Sequence, residues 1–386
     1  MDFRLTPEQQ ALQTAARRFA REQMAPVARE IEQSGEPLSH AWLQRYAEMG
    51  FLGINVATRY GGLGMGNLEA LLVLEEFARV SPAVAFPIFE SSVGPMRAIE
   101  HFAAESLRQR VLPQVCQGKL VVAVAMSEPD AGSALTDLKT RARVDAEQIV
   151  IDGQKRWSSG AGHSGGYVVY CRMSDAPGAA GIGAVYVEKE RPGVSFGASE
   201  ALMGFRGIPS ADIFFDQVRV PLDNLIVPAG GFRQLMEAFD LERCGNATMC
   251  LGLAAGALED ALIYVQERKQ FGKPIVDFQA VQLKLAGMAM KVEASRLLIH
   301  RAAQNASDAL PSMFESSVAK CFANLSVREV CGEALQLLGA YGYSKQYPME
   351  QRLRDAWGWG IAGGTIDIQM INIASALVGR RFDQRA

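Results

Sequence analysis

The chain has 386 residues, of which 49% are hydrophobic and 21% are charged. This length exceeds what one hydrophobic core normally serves, so it predicts two or three packed units of ordinary globular composition. The formal net charge of −3 gives no general attraction to nucleic acid or anionic lipid. Because no run of about 18 apolar residues occurs, we expect no membrane span.

The six cysteines and four histidines show no spacing typical of a metal site. No C-x-x-C pair occurs, and the histidines lie far apart in the sequence. The N-terminal segment MDFRLTPEQQ carries charges where a signal peptide needs an apolar run. We therefore expect no metal, no disulfide framework and a cytoplasmic location.

The first 120 residues have the pattern of a helical domain. Thr6 and Gln9 form a candidate capping box around Pro7, and apolar residues then recur at three- and four-residue steps. Further helices are expected near residues 68–80 and 105–116.

Residues 121–228 read as a β domain, and residues 229–386 return to helical periodicity. Short β-rich runs such as VVAVAM and GGYVVYCRM are separated by Gly and Pro in the middle of the chain. The last third contains Ala, Leu and Met at helical spacing, which favours a bundle. Its predicted helices cover residues 232–270, 277–305, 311–338, 349–359 and 366–382.

Five short segments carry the chemistry-bearing residues, and each also has a simpler structural explanation. A Gly/Ser turn after a strand presents hydroxyls and N–H groups to a polar ring or phosphate, yet such turns are common. A Trp beside two hydroxyls can cover an aromatic cofactor, yet a lone Trp is more often buried. The segments span residues 126–133, 155–160, 267–272, 336–342 and 354–365.

The order and spacing of these segments together resemble the acyl-CoA dehydrogenase family over essentially the whole chain. The matching motifs are S-E-P-D-A-G-S at 127–133, W-S-S at 157–159, R-K-Q-F-G at 268–272, Q-L-L-G-A-Y-G at 336–342, and R-D-A at 354–356 followed by G-T-I-D-I-Q at 364–369. The resemblance implies a mainly α fold with a central β domain. In it, an N-terminal helical domain, a β-barrel or sandwich domain and a C-terminal four-helix bundle enclose FAD.

The resemblance also implies roles for individual residues. Those lining the flavin ring would be Val124, Met126, Ser127, Trp157 and Ser159. Ser133 would meet both FAD and the thioester arm, along which Asp240 and Arg243 would lie. Thr365 and Asp367 would meet the phosphate and adenosine portions of FAD. The FAD of a neighbouring subunit would be contacted by Arg268, Gln270, Phe271, Gln336 and Gly339.

Desaturation of an acyl thioester needs a base for the α proton, while the flavin N5 takes the β hydride. A carboxylate whose pKa is raised by a dry site suits this task. Most of the family carry a Glu immediately before the tail Gly-Thr, whereas this chain has Gly363 there. A minority, including the isovaleryl and long-chain enzymes, place the Glu before an Arg on a bundle helix, and Glu242 precedes Arg243 here.

We therefore predict that Glu242 is the base and that the Gly363 backbone N–H donates to the thioester oxygen. The simpler reading of Glu242 is a solvated helical carboxylate paired with a cation. Glu90, in an apolar run, is a second polar candidate: a base, a partner for a polar acyl group, or a surface residue. We favour the last two roles for Glu90.

Several functional alternatives remain open at this point. The carrier of the acyl group is either CoA or a carrier protein, and the chemistry is the same in both cases. A sulfinate-eliminating family member would also show an I-A-G-G-T tail, but we expect no Glu before the Arg in such an enzyme. The alkylation-response relatives carry a basic C-terminal extension, for which the chain after Arg381 leaves no room. The resemblance further implies an electron-transfer flavoprotein-like acceptor and a homo-oligomer, most simply a tetramer.

Overall fold

The computed structural model describes residues 4–306, 309–382 and 384. The N-terminal part consists of α1 (Pro7–Phe19), α2 (Ala25–Ser34), α3 (His40–Glu48), α4 (Asn67–Ala78), α5 (Pro82–Ser92), α6 (Met96–Phe102) and α7 (Glu105–Cys116). A π-helical turn, Ala20–Met24, joins α1 to α2. The predicted capping box is confirmed, since the Thr6 side chain accepts from the Gln9 N–H and the Gln9 side chain accepts from the Thr6 N–H.

The helices α4 and α5 form the centre of the N-terminal part. Nearly every residue of both is buried, so neither shows a polar face. Ser81 caps α5 by accepting from the Ala83 N–H, and Pro82 occupies the first turn, where its missing N–H is harmless. Helix α5 is buried on all sides because it packs against both α4 and the first helix of the C-terminal part.

The central part is a single open sheet of eight strands. These are β1 (Val122–Ala125), β2 (Arg141–Asp145), β3 (Gln148–Ser159), β4 (Gly166–Arg172), β5 (Ile182–Glu188), β6 (Val194–Phe196), β7 (Ser210–Pro221) and β8 (Leu225–Val227). Their order is β6-β7-β3-β2-β4-β5-β8, with β1 pairing in parallel with β4. The predicted β domain is therefore confirmed, but the described strands do not close into a barrel.

The C-terminal part begins with a helix of 36 residues, α8 (Phe232–Glu267). The following elements are β9 (Lys269–Gln270), β10 (Lys273–Pro274), α9 (Gln279–Ala306), α10 (Met313–Leu338), α11 (Ala340–Tyr343), α12 (Met349–Trp359) and α13 (Ile366–Val378). Since α10 packs against α8, α9 and α13, these four helices form the predicted bundle. Two predicted helices were too long: α8 gives way to the β9–β10 hairpin, and Gly379, with φ of 73°, ends α13 before residue 382.

The helix α8 contains an 18-residue window with a mean hydropathy of 1.4, which is long and apolar enough to cross a membrane. However, 67% of that window is buried inside the protein, as expected for the core helix of a bundle. Short 3-10 turns complete the fold at Thr58–Tyr60, Leu135–Asp137, Gly178–Gly181, Leu222–Asn224 and Ile275–Asp277. We propose residues 1–120, 121–228 and 229–386 as the domains, which is supported by the loops that separate α7 from β1 and β8 from α8.

Candidate active site

A cavity of about 2180 Å³ lies where the helical and β parts meet. Its walls come from α5, from the ends of β1 and β3, from α8 and from the turn between α12 and α13. Ligand pockets for drug-sized molecules span about 300–1,000 Å³, so this cavity has room for two large ligands. The predicted residues that line it are Glu90, Val124, Met126, Ser127, Ser133, Trp157, Ser159, Asp240, Glu242, Arg243, Gly363 and Thr365.

A buried ion pair fixes the loop that follows β1. The Lys155 ammonium is fully buried and donates to Glu128 at 2.8 Å and to the Met126 carbonyl at 3.1 Å. Glu128 also accepts from the backbone N–H of Thr140 at 2.9 Å. Burial opposes ionisation of Glu128, but the Lys155 charge and these hydrogen bonds lower its pKa. Both segments belong to the motifs in the sequence, but only the structure shows that these two side chains join them.

The neighbouring Trp157 projects its ring into the cavity from a strained backbone. Its φ of 59° lies in the left-handed region, which non-glycine residues rarely adopt, and the β3–β7 register shifts between Lys155 and Ser158. The Arg156 guanidinium lies 4.3 Å from the centre of the indole and donates to Asp212 at 2.9 Å. The indole is still 52% exposed, so a flat ring can stack on it from the cavity.

Glu242 projects from α8 into the same cavity. Its side chain is half-buried, and it lines the cavity. Burial raises the pKa of Glu242 to about 8, although the positive charges of Arg243 and Lys320 oppose the rise. Arg243 itself is held by Asp240, which also accepts from the Ser316 hydroxyl at 2.7 Å. The position of Glu242 in the cavity wall therefore favours the role of a base, which stays a prediction, over that of a solvated helical carboxylate.

Lys320 fixes the turn that carries Gly363 through hydrogen bonds to backbone carbonyls. Its ammonium donates to the carbonyls of Ala362 at 3.0 Å and Gly364 at 2.9 Å, and its side chain is 1% exposed. Gly363 has φ of 66°, and a Cβ added there would lie 3.5 Å from the Phe239 ring. The turn therefore faces the part of α8 that carries Glu242. In the described part of the chain, the Gly363 N–H donates to no other group.

Glu90 is buried in the wall formed by α5. It is 4% exposed, and its Oε2 has no hydrogen-bond partner among the described residues. Burial, reinforced by the charge of Glu242, raises its pKa well above the usual range. The surface role that we considered for Glu90 is therefore wrong, which leaves the base or the partner of an acyl group.

The R-D-A segment holds a loop of the β part over the cavity. Arg354 donates to the Met203 carbonyl at 3.0 Å, and Asp355 accepts from the Phe205 N–H at 2.7 Å. The Phe205 ring then lies 4.8 Å from that of Trp359, at the cavity wall. Asp355 is thus a positioning residue, a role that the motif alone did not indicate.

Six of the predicted cofactor residues do not line this cavity. They are all exposed, and Phe271 is 93% exposed at the tip of the β9–β10 hairpin. Their predicted contact with the FAD of a neighbouring subunit stays a prediction for five of them, and contact with the adenosine portion stays one for Asp367. The six residues are Arg268, Gln270, Phe271, Gln336, Gly339 and Asp367.

Comparison with known proteins covers all three parts of the chain. Family models described as acyl-CoA dehydrogenase N-terminal, middle and C-terminal domains match residues 6–119, 123–218 and 229–378. The chain belongs to the acyl-CoA dehydrogenase family. The family binds FAD and its acyl-CoA dehydrogenases are oxidoreductases, so the predicted fold family and enzyme class are confirmed.

Individual members of the family are similar over nearly their whole length. A 3-sulfinopropanoyl-CoA desulfinase of Paraburkholderia xenovorans (strain LB400) is 37% identical, covering 99% of each chain. A probable acyl-CoA dehydrogenase of Mycobacterium leprae (strain TN) is 35% identical, covering 97% of each. The solved structure of butyryl-CoA dehydrogenase from Megasphaera elsdenii is 31% identical with a TM-score of 0.94, covering 98% of this chain and 100% of that one.

The residues of the cavity fit FAD. Trp157 offers an exposed aromatic face, and the hydroxyls of Ser127 and Ser159 lie on the same wall. Thr365 begins α13 by accepting from the Ile368 N–H at 3.3 Å, and the N-terminus of this 13-residue helix favours an anion such as a phosphate. The cavity thus offers groups for both the ring and the phosphates of the cofactor.

Proposed function

We propose that this enzyme desaturates an acyl thioester between its α and β carbons, with Glu242 as the base. The observation that carries the proposal is the position of Glu242 in the cavity, with a pKa raised to about 8. A carboxylate with a pKa near the working pH is both partly ionised and strongly basic, which is what α-proton abstraction requires. When bound, FAD supplies N5 as the acceptor of the β hydride.

The chain's own residues prepare the α carbon for deprotonation. The free Gly363 N–H is available to the thioester oxygen, and a donor fixed there stabilises the negative charge that develops as the α proton leaves. Lys320 holds the turn at this position through the Ala362 and Gly364 carbonyls. The proton passes to the carboxylate of Glu242, whose ionised form is favoured by the charges of Arg243 and Lys320.

Replacement of the base tests this proposal. Glu242→Gln keeps the shape of the side chain but removes its basicity, so anaerobic reduction of bound flavin by an acyl thioester should slow by about 10²–10⁴-fold. Glu259→Gln is the matched control, since it changes a Glu at the far end of the same helix, where it pairs with Arg21 outside the cavity. Rapid reduction by Glu242→Gln with normal FAD content contradicts the proposal.

A second candidate is the elimination of sulfinate from an acyl thioester, which the similarity to the desulfinase favours. Such a reaction breaks a carbon–sulfur bond without net oxidation, so it consumes no electron acceptor. Glu242 argues for desaturation instead, because a base of this strength serves α-proton abstraction. Release of sulfite from 3-sulfinopropanoyl-CoA, without an acceptor and without flavin reduction, would establish the second candidate.

We further propose CoA as the carrier of the acyl group, an electron-transfer flavoprotein-like acceptor, a cytoplasmic location and a homotetramer. The exposed apolar residues of the C-terminal part support an assembly, among them Phe271, Leu283, Met290 and Leu377. Turnover of the CoA thioester, compared with the same acyl group on a carrier protein, tests the first point. Light scattering of the FAD-bound protein tests the last.

A further inference from the structure

Glu90 is a buried carboxyl group that the proposed reaction does not use. It lies near the end of α5, and no hydrogen bond or ion pair joins it to any other residue in the described part of the chain. Burying a polar group without a partner destabilises the folded state, because the group loses its hydrogen bonds to water. The fold of α5 gains nothing from an acid here, so the reason for its presence has to be sought in the cavity.

The surroundings of Glu90 are aromatic. The rings of Phe86 and Phe89 stack at 5.8 Å with an angle of 10°, and the Phe89 ring lies 6.1 Å from that of Trp359. These three side chains line the cavity together with Glu90. This wall therefore presents the Glu90 carboxyl group in a largely apolar surface, where the Trp359 indole N–H also has no hydrogen-bond partner among the described residues.

The charges near Glu90 differ from those around the other buried acids. The only charged group that acts on it among the described residues is Glu242, another acid. Glu128, by contrast, has the Lys155 ammonium at 2.8 Å. Burial without a nearby cation favours the protonated form of a carboxyl group, and that form both donates and accepts a hydrogen bond.

We propose that Glu90 is a specificity-determining residue that hydrogen-bonds a neutral polar substituent, such as a hydroxyl or amide, at the distal end of the acyl group. This inference rests on the proposed function, since it assumes that the acyl chain extends from Glu242 into the aromatic wall. The substrate class is therefore an acyl thioester with a neutral polar group at the distal end of its acyl chain. A distal carboxylate is disfavoured, because it would add an anion beside Glu90, on which no cation acts among the described residues.

The test compares three kinds of CoA thioester over acyl chains of four to eight carbons. They are ω-hydroxyacyl, straight alkyl acyl of equal heavy-atom count, and ω-carboxyacyl, assayed by kcat/KM with an artificial acceptor. At the length that reaches Glu90, the wild type should prefer the hydroxyacyl thioester by about ten-fold or more, the value of one well-formed buried hydrogen bond. The carboxyacyl thioester should be the poorest substrate.

Two variants at the same position separate hydrogen bonding from shape. Glu90→Met removes both hydrogen-bonding atoms at similar volume, so it should reverse the preference, with kcat/KM rising for the alkyl thioester and falling for the hydroxyacyl one. Glu90→Gln keeps a donor and an acceptor and should retain most of the preference. An unaltered ratio in Glu90→Met, or no preference in the wild type at any length, overturns the inference.

Binding measurements keep this inference distinct from the proposed function. Dissociation constants for hydroxyacyl-CoA and alkyl-CoA, measured by calorimetry on FAD-bound Glu242→Gln, should show the same preference without turnover. If Glu242→Gln reduces flavin rapidly, the proposed base is wrong whatever the binding preference. Loss of flavin reduction with every thioester in FAD-bound Glu90→Gln would instead make Glu90 the base and overturn its role in specificity.

Discussion

Glu242 and Glu90 face the same cavity from different helices, but the charges of their neighbouring groups have opposite signs. Glu242 lies near the positive charges of Arg243 and Lys320, which keep its pKa at about 8 in spite of burial. Glu90 lies among aromatic rings, and among the described residues the charge that acts on it is that of Glu242. Burial alone thus favours a neutral carboxylic acid, whereas burial beside cations gives a carboxylate that can act as a base.

Removing the cation beside Glu242 should have the largest effect, because it makes the surroundings of Glu242 more like those of Glu90. Lys320→Met should raise the pKa of Glu242 and free the turn that carries Gly363, lowering the rate of flavin reduction at pH 7 by about 10²-fold or more. In the wild type, the rate should increase as the pH rises through about 8, where Glu242 loses its proton; burial also lowers the pKa of Lys320 to about 8, so the two groups titrate together. In the variant, this increase should move to higher pH.

A surface lysine provides the control for that change. Lys291→Met removes a partly exposed ammonium that pairs with Glu329 on α10, away from the cavity. Its pH profile should match that of the wild type. An identical profile in Lys320→Met as well would show that Lys320 does not set the ionisation of Glu242.

Glu128 is a third buried acid, and it differs from the other two because it is paired directly with a cation, Lys155. Lys155→Met leaves that charge without a partner and should cost about 3–5 kcal/mol of unfolding free energy. Because the same pair fixes the Met126 carbonyl beside the predicted flavin site, FAD retention should fall as well. Chemical denaturation and the flavin-to-protein absorbance ratio measure both effects; a stable variant with full FAD content would show that the pair is dispensable.

Glu90→Met should stabilise the protein, and its effect should be the smallest of the three substitutions. It replaces an unpaired buried acid with an apolar side chain, so the unfolding free energy should rise by about 1–3 kcal/mol. Because the folded-state pKa of Glu90 is raised above its ordinary value of 4.5, the wild type loses stability as the pH rises above that value. Thermal melting should therefore show a gap between variant and wild type that widens with pH, whereas a destabilised variant would indicate a hidden partner for Glu90.

The sequence was sufficient to predict the parts of this account that depend on local patterns. The capping box of α1 and the ends of α7 and α12 follow from neighbouring residues and helical periodicity. The pairing of Glu242 with Gly363 is an expectation from the family resemblance, and both residues line the same cavity. The helix α5 was not recognised, because a helix buried on all sides shows no amphipathic period and Pro87 interrupts its pattern. That omission left Glu90 without a place in the fold.

The supporting residues of the site depend on tertiary contacts that sequence patterns do not show. Lys155 meets Glu128 only through the pairing of distant segments, and its position read as an ordinary strand lysine. Lys320 reaches the turn after α12 across the bundle, 42 residues away from Ala362. Both lysines are buried, which is rare enough for that residue type that sequence reasoning favours the surface.

Exchange of the α protons tests the role of Glu242 most directly, since it isolates the proton step from the flavin. A 3-thiaacyl-CoA, which cannot lose a β hydride, is incubated with FAD-bound enzyme in D₂O, and deuterium at the α carbon is followed by mass spectrometry. The account predicts exchange by the wild type and by Glu90→Gln, and slowing by about 10²–10⁴-fold in Glu242→Gln. Exchange that persists in Glu242→Gln and disappears in Glu90→Gln would contradict it.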